Sequence, residues 1–172
     1  MPTYHRFEEL PVWLAAASLF EACDEFLSHA PSRLRSSFRD QLERASLSVS
    51  NNIAEGFERG TTKELLSFIY IARGSAGEVR SMLALLTRRS WILEFHAEIK
   101  SIISLAEGCS RQLRGWADTL QNSEIDGPRH LNQESRATYT RRKDRREAQA
   151  RVQSMINQHL PEDHPMRKRN IE

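Results

Sequence analysis

A chain of 172 residues with 28% charged residues, a formal net charge of +2 and only 7 Gly and 6 Pro has room for one domain with a real core plus an appendage. No apolar run approaches the roughly 18–20 residues of a membrane span, and the opening MPTYHRFEEL lacks the basic-then-apolar order of a secretory signal. A soluble, cytoplasmic protein with no membrane partner is expected, and the absence of strand-like alternation makes it all-helical.

The first helix is expected from about Pro11 to Ala30. At 100° per residue, Val12, Ala16, Leu19, Phe20, Cys23, Phe26, Leu27 and Ala30 fall within one arc, as amphipathic packing requires. Pro11 suits a first-turn position, where its missing N–H would be unpaired anyway, and Pro31 stands where a helix cannot continue. Phe38, Leu42, Ala45, Val49, Ile53 and Gly56 repeat the pattern in a second helix. Thr61 followed by Glu64 reads as a capping box, so a third helix begins there. Its main stripe is Leu65, Phe68, Ile69, Ala72, Ala76, Val79, Leu83 and Leu86.

The third helix carries more apolar surface than one core uses. Ile71, Met82 and Leu85 form a second arc beside the first, widening the apolar surface to about 200° against the usual ~100°. On the remaining face Ser67, Gly74 and Ser81 recur at seven-residue intervals, with Gly77 nearby. Small residues at a helical repeat let another backbone approach closely, which points to a subunit contact through Ser67, Ile71, Gly74, Ser81, Met82 and Leu85. The alternative is that Gly74 and Gly77 make room for bulky neighbours such as Trp91 within one chain.

A fourth helix takes Phe95, Ile99, Ile102, Ile103, Ala106, Cys109, Leu113, Trp116 and Leu120 after a tight Arg89-Ser90-Trp91 connection. Short loops between long helices favour antiparallel neighbours, hence an up-down-up-down four-helix bundle over residues 1–120. Cys23 and Cys109 lie on apolar stripes far from His or another Cys, so core packing in a reducing compartment is their expected role. No cofactor or metal is expected; His159 and His164, flanking Glu162 and Asp163, are weak ligand candidates that a solvated tail explains equally well.

Residues 121–172 differ in character. Turn-forming residues at 121–128 read as a linker, and a charge-rich C-terminal extension follows, with helix-compatible composition from about Asn132 to His159. The first 120 residues hold 14 Lys/Arg against 15 Asp/Glu, whereas the extension holds 11 against 8. Arg136 to Arg151 carries seven positive residues against Asp144 and Glu147, a density that can meet phosphates of RNA or DNA. Arg141, Arg142, Lys143, Arg145 and Arg146 are the candidate contacts, with Arg33, Arg35 and Arg39, or else Arg88 and Arg89, as the alternatives within the bundle. Tyr139 alone among nearby aromatics could stack a base. A short patch of Val152, Met155, Ile156 and Leu160 could pack, but Arg141 and Arg145 interrupt it upstream, so a solvated helix without a specific partner is the competing account.

Two runs place fixed polar residues in otherwise apolar helices: Ser48-Val49-Ser50-Asn51-Asn52-Ile53-Ala54-Glu55-Gly56 and Ala72-Arg73-Gly74-Ser75-Ala76-Gly77-Glu78. Together with Phe7, Leu10, Val12 and Trp13 near the start, they resemble the four-helix-bundle family of 23S rRNA intervening-sequence proteins over about two thirds of the chain. The resemblance implies a bundle that assembles as a homopentamer around a central channel, with no established biochemical activity. Ser50 stands where the family usually has proline, which weakens the kink expected in the middle of the second helix. The family is also similar to the accessory bundle proteins of diversity-generating retroelements, which bind a reverse transcriptase and its RNA through a basic oligomeric surface.

Within those runs Asn52 sits at the edge of the apolar stripe, where an unpaired amide would cost roughly 1–3 kcal/mol. A network joining Asn52 and Glu55 to Arg73 or Ser75 across the helix pair is expected, with Gly56, Gly74 and Glu78 in the same motif. The competing accounts are a recognition site, or acid/base chemistry on Glu55, Arg73 and Glu78, though no nucleophile, metal set or phosphate loop accompanies them. Three classes follow: a non-enzymatic oligomeric scaffold or adaptor for RNA or a ribonucleoprotein such as a reverse-transcriptase complex, a direct nucleic-acid binder through the extension, and an enzyme.

Overall fold

The computed structural model describes residues 4–122 and 133–159. Among these the protein is all-helical, with α1 (Pro11–His29), α2 (Ser36–Glu58), α3 (Thr62–Leu86), α4 (His96–Gln121) and α5 (Gln133–His159). The chain divides into two compact units, residues 1–129 and 130–172. In the first unit α1 and α3 each pack against both α2 and α4. One continuous core results, and it contains the inner residues of every apolar stripe.

The helix boundaries have local causes. Pro11 opens α1 at its first position, where the absent N–H costs nothing. At the far end Arg39, on α2, reaches back and donates to the carbonyls of Leu27 (2.7 Å), Ala30 (2.8 Å), Pro31 (3.0 Å) and Leu34 (3.2 Å). One guanidinium thereby satisfies carbonyls that the end of α1 would otherwise leave without donors. Arg39 is committed to structure, so it leaves the group of arginines open to an anion.

α2 runs unbroken through Ser50. Ser46 and Ser50 are both buried, and each hydroxyl donates to a carbonyl three residues back, Glu43 at 2.9 Å and Leu47 at 3.0 Å, which satisfies it locally. Near the end of α2, a Cβ at Gly56 would lie 2.7 Å from Phe68 Cβ and 3.2 Å from Leu65 Cδ1. Glycine is required there because the backbone of α2 rides directly on α3.

Thr61 caps α3: its hydroxyl oxygen accepts from the Glu64 N–H at 3.2 Å, and the hydroxyl donates to the Glu64 carboxylate at 2.7 Å. The connection from α3 to α4 is longer than the tight turn expected, because Ser90–Phe95 forms a 3₁₀ segment. Ile92 from that segment is fully buried, and the Phe95 ring lies edge-on to Phe26 at 6.0 Å and stacks on His29 at 5.9 Å. The segment plugs the end of the core.

Cys23 and Cys109 are buried and free. Burial pushes the Cys23 thiol up to about 12, against a smaller opposing effect of a Ser46 hydrogen bond, and burial raises Cys109 to about 11. Both act as small hydrophobes. Among the described residues no helix is long and apolar enough to cross a membrane, and no cluster of three His, Cys, Asp or Glu could hold a metal. Glu162, Asp163 and His164 of the weak ligand candidate, like Leu160 of the apolar patch, lie outside the described residues.

Candidate functional site

The polar motif forms a seam between α2 and α3, with a different wiring from the one expected. Half-buried Asn52 donates from Nδ2 to the Ser48 carbonyl (2.7 Å) and to Ser48 Oγ (3.0 Å), one turn back on the same helix. Ser48 Oγ lies 3.0 Å from Ser75 Oγ on α3, and Ser75 Oγ donates to the Ile71 carbonyl at 3.2 Å. The proton order that satisfies every donor runs Asn52, Ser48, Ser75, Ile71. Two turns before Ser48 on α2, Gln41 donates to the Glu78 carboxylate, while Arg44 donates to Gln41 Oε1 at 2.6 Å.

Glu55 and Arg73 do not join this network. Glu55 pairs with Arg59, four residues on and just past the end of α2, and both are exposed. The Arg59 guanidinium also sits over the Phe68 ring at 5.1 Å. Arg73 lies on the side of α3 that faces α4: Tyr70, one turn earlier, accepts from Gln121 at 2.6 Å, and Arg80, two turns later, donates to Glu107 at 2.9 Å. At 3.6 residues per turn Arg73 and Glu78 diverge by about 140°, and among the described residues Arg73 has no hydrogen-bond or ion-pair partner. Helical phase therefore selects Ser75 over Arg73 and separates Glu55, Arg73 and Glu78, which share no common site. Ser48 carries the link that charge-based reasoning missed, and its position one turn before Asn52 was the available signal.

The outward face of α3 is bare. Ser67, Ile71 (52% exposed), Gly74, Ser81 and Leu85 (58% exposed) all face away from the core, and Met82 packs partly against it. A Cβ at Gly74 or Gly77 would meet nothing within 4 Å. Neither glycine makes room for Trp91, whose ring lies under Arg33 at 5.7 Å, so packing among the described residues gives no reason for them.

Basic residues gather in two places. In the second unit Arg141, Arg145 and Arg146 are exposed on α5, with Arg142 and Lys143 in the same stretch of helix. In the first unit Arg33, Arg35 and Arg89 line an open cavity of about 850 Å³ between the start of α2 and the end of α3, together with Phe38, Leu85 and Trp91.

No curated protein matches the chain. A family model described as 23S rRNA-intervening sequence protein matches residues 8–115, from the turn before α1 well into α4, and the chain belongs to that family.

Proposed function

We propose that the protein is a non-enzymatic, homo-oligomeric, antiparallel four-helix bundle that serves as a scaffold or adaptor for RNA or a ribonucleoprotein. The short connections from α1 to α2 and from α2 to α3 favour an up-down-up-down course. The strongest support for assembly is the outward face of α3. Glycine in a helix interior costs about 1 kcal/mol relative to alanine, and Gly74 and Gly77 bear that cost where the described residues leave the space empty. A second backbone seated against Gly74, with Ile71 and Leu85 covered at the same time, turns that cost into close packing. A ring of five subunits is the arrangement the family resemblance favours.

The RNA half of the proposal is supported by the family, whose name refers to an intervening sequence of 23S rRNA, and a reverse-transcriptase-like ribonucleoprotein is one partner of that kind. The separation of Glu55, Arg73 and Glu78 removes the support for an enzymatic role. Copurifying nucleic acid, read from absorbance at 260 and 280 nm before and after a high-salt wash, tests the RNA half. Native mass spectrometry tests the assembly. A monomer free of nucleic acid would refute both halves.

A second reading, direct nucleic-acid binding through the extension, is favoured by the exposure of Arg141, Arg145 and Arg146 on α5. Deleting residues 129–172 would then abolish binding while the bundle stays folded, and binding that survives the deletion would refute it.

A further inference from the structure

Several arginines of the first unit are held by acceptors. Arg59 pairs with Glu55, Arg80 with Glu107 and Arg6 with Glu8, and Arg39 is saturated by four carbonyls. The cavity between the start of α2 and the end of α3 gathers arginines that are not. Arg33, Arg35 and Arg89 line it and no Asp or Glu does. Among the described residues the side chains of Arg35 and Arg89 have no partner at all, and Arg33 has only the face of Trp91. Three like charges converging on one concavity repel each other until an anion enters. The first turn of α2, which reaches the cavity through Ser37, has no acidic residue to offset the positive end of the helix.

The same cavity has a flat, apolar side. Trp91 and Phe38, both half-buried, form it. Inorganic phosphate would use the guanidiniums and leave this surface wet. A ligand that satisfies both parts carries phosphates and a planar π face, and it must present that face unstacked, which a duplex does not do. Arginine and tryptophan together are suited to such a ligand, since guanidinium takes phosphate through a rigid fork and an indole accepts a base of any identity.

We propose that this cavity binds single-stranded RNA, with Arg35 and Arg89 on backbone phosphates and a base stacked in the Arg33–Trp91 corner; the assignment rests on the RNA-directed reading given above and supplies its site. The full-length chain is titrated against a labelled oligouridine by fluorescence anisotropy over a range of salt concentrations, with native mass spectrometry confirming that each variant assembles as the parent does. Removing two phosphate contacts in the Arg35→Gln/Arg89→Gln double variant flattens the log–log salt slope by about 1.4, since each contact on a single strand contributes about 0.7. Trp91→Leu weakens binding about tenfold with the slope unchanged, whereas Trp91→Phe keeps a stacking face and most of the affinity.

Parent-like slope and affinity in the double variant, with the chain still binding RNA, would overturn the cavity assignment and move the site to α5 while the RNA-directed function survives. Equal affinity for poly-glutamate or for the oligouridine's duplex with oligoadenosine would overturn it too, because neither supplies an unstacked base. Failure of the parent chain to bind oligouridine at low salt would refute the function and the site together.

Discussion

Replacing Gly74 and Gly77 together by alanine pushes folding and assembly in opposite directions. In a single subunit each added methyl meets none of the described residues within 4 Å, and each substitution relieves the helix of about 1 kcal/mol of glycine cost. Folding of a single subunit therefore gains about 2 kcal/mol, which corresponds to roughly 4–8 °C in melting temperature for a chain of this size. At an interface built on close backbone approach the same two methyls stand between subunits, and the assembly weakens or dissociates. Circular dichroism melts at low concentration, where mass action favours single subunits, read the first effect, and native mass spectrometry at higher concentration reads the second. A double variant that is both more stable and still fully assembled would refute the role assigned to the glycines. A less stable subunit would refute the open-space geometry itself.

Gly56→Ala is expected to destabilise the fold by about 1–3 kcal/mol in urea denaturation, because its Cβ would meet Phe68 Cβ at 2.7 Å and the helices must separate to admit it. Arg39→Ala strips donors from four carbonyls at the α1–α2 connection and is expected to cost about 2–3 kcal/mol in the same assay. Asn52→Leu keeps full helicity by circular dichroism but loosens the α2–α3 register or the subunit number in native mass spectrometry, since the amide links to Ser75 through Ser48; Arg73→Ala, which breaks no hydrogen bond or ion pair among the described residues, stays within about 0.5 kcal/mol of the parent. His29, raised chiefly by its hydrogen bond to Glu98 (3.1 Å) against a smaller opposing desolvation, contributes stability that is present below its unfolded pKa of about 6.5 and is lost as pH rises through the higher folded value; melts between mildly acidic and mildly basic pH show that loss in the parent and not in His29→Gln.

The helices were legible because their cause is periodic. Each apolar stripe repeats at 100° per residue, and Pro11, Pro31 and the Thr61–Glu64 pair punctuate the chain where α1 and α3 begin or end. Ile92 was missed because a 3₁₀ segment has neither the length nor the period to announce a buried face. Gly56 was placed on the right stripe, but the need for glycine arises from Phe68, twelve residues away on another helix. The polar seam shows the same limit. Residue type singled out Glu55, Arg73 and Glu78 as charged partners, while phase turned Arg73 towards α4 and left two serines to make the crossing. Arg39 was grouped with phosphate-binding arginines by its charge, yet its long side chain reaches twelve residues back to close the end of α1.

Native mass spectrometry of the full-length chain at micromolar concentration, run beside Ile71→Glu, tests assembly through the outward face of α3 most directly. Ile71 is half exposed in the single chain, so a charge there leaves a lone subunit's core intact and disrupts only what covers that face. The expected result is a single closed species of five subunits for the parent and a folded monomer for Ile71→Glu. A stable parent monomer, or a variant that assembles as the parent does, would contradict it.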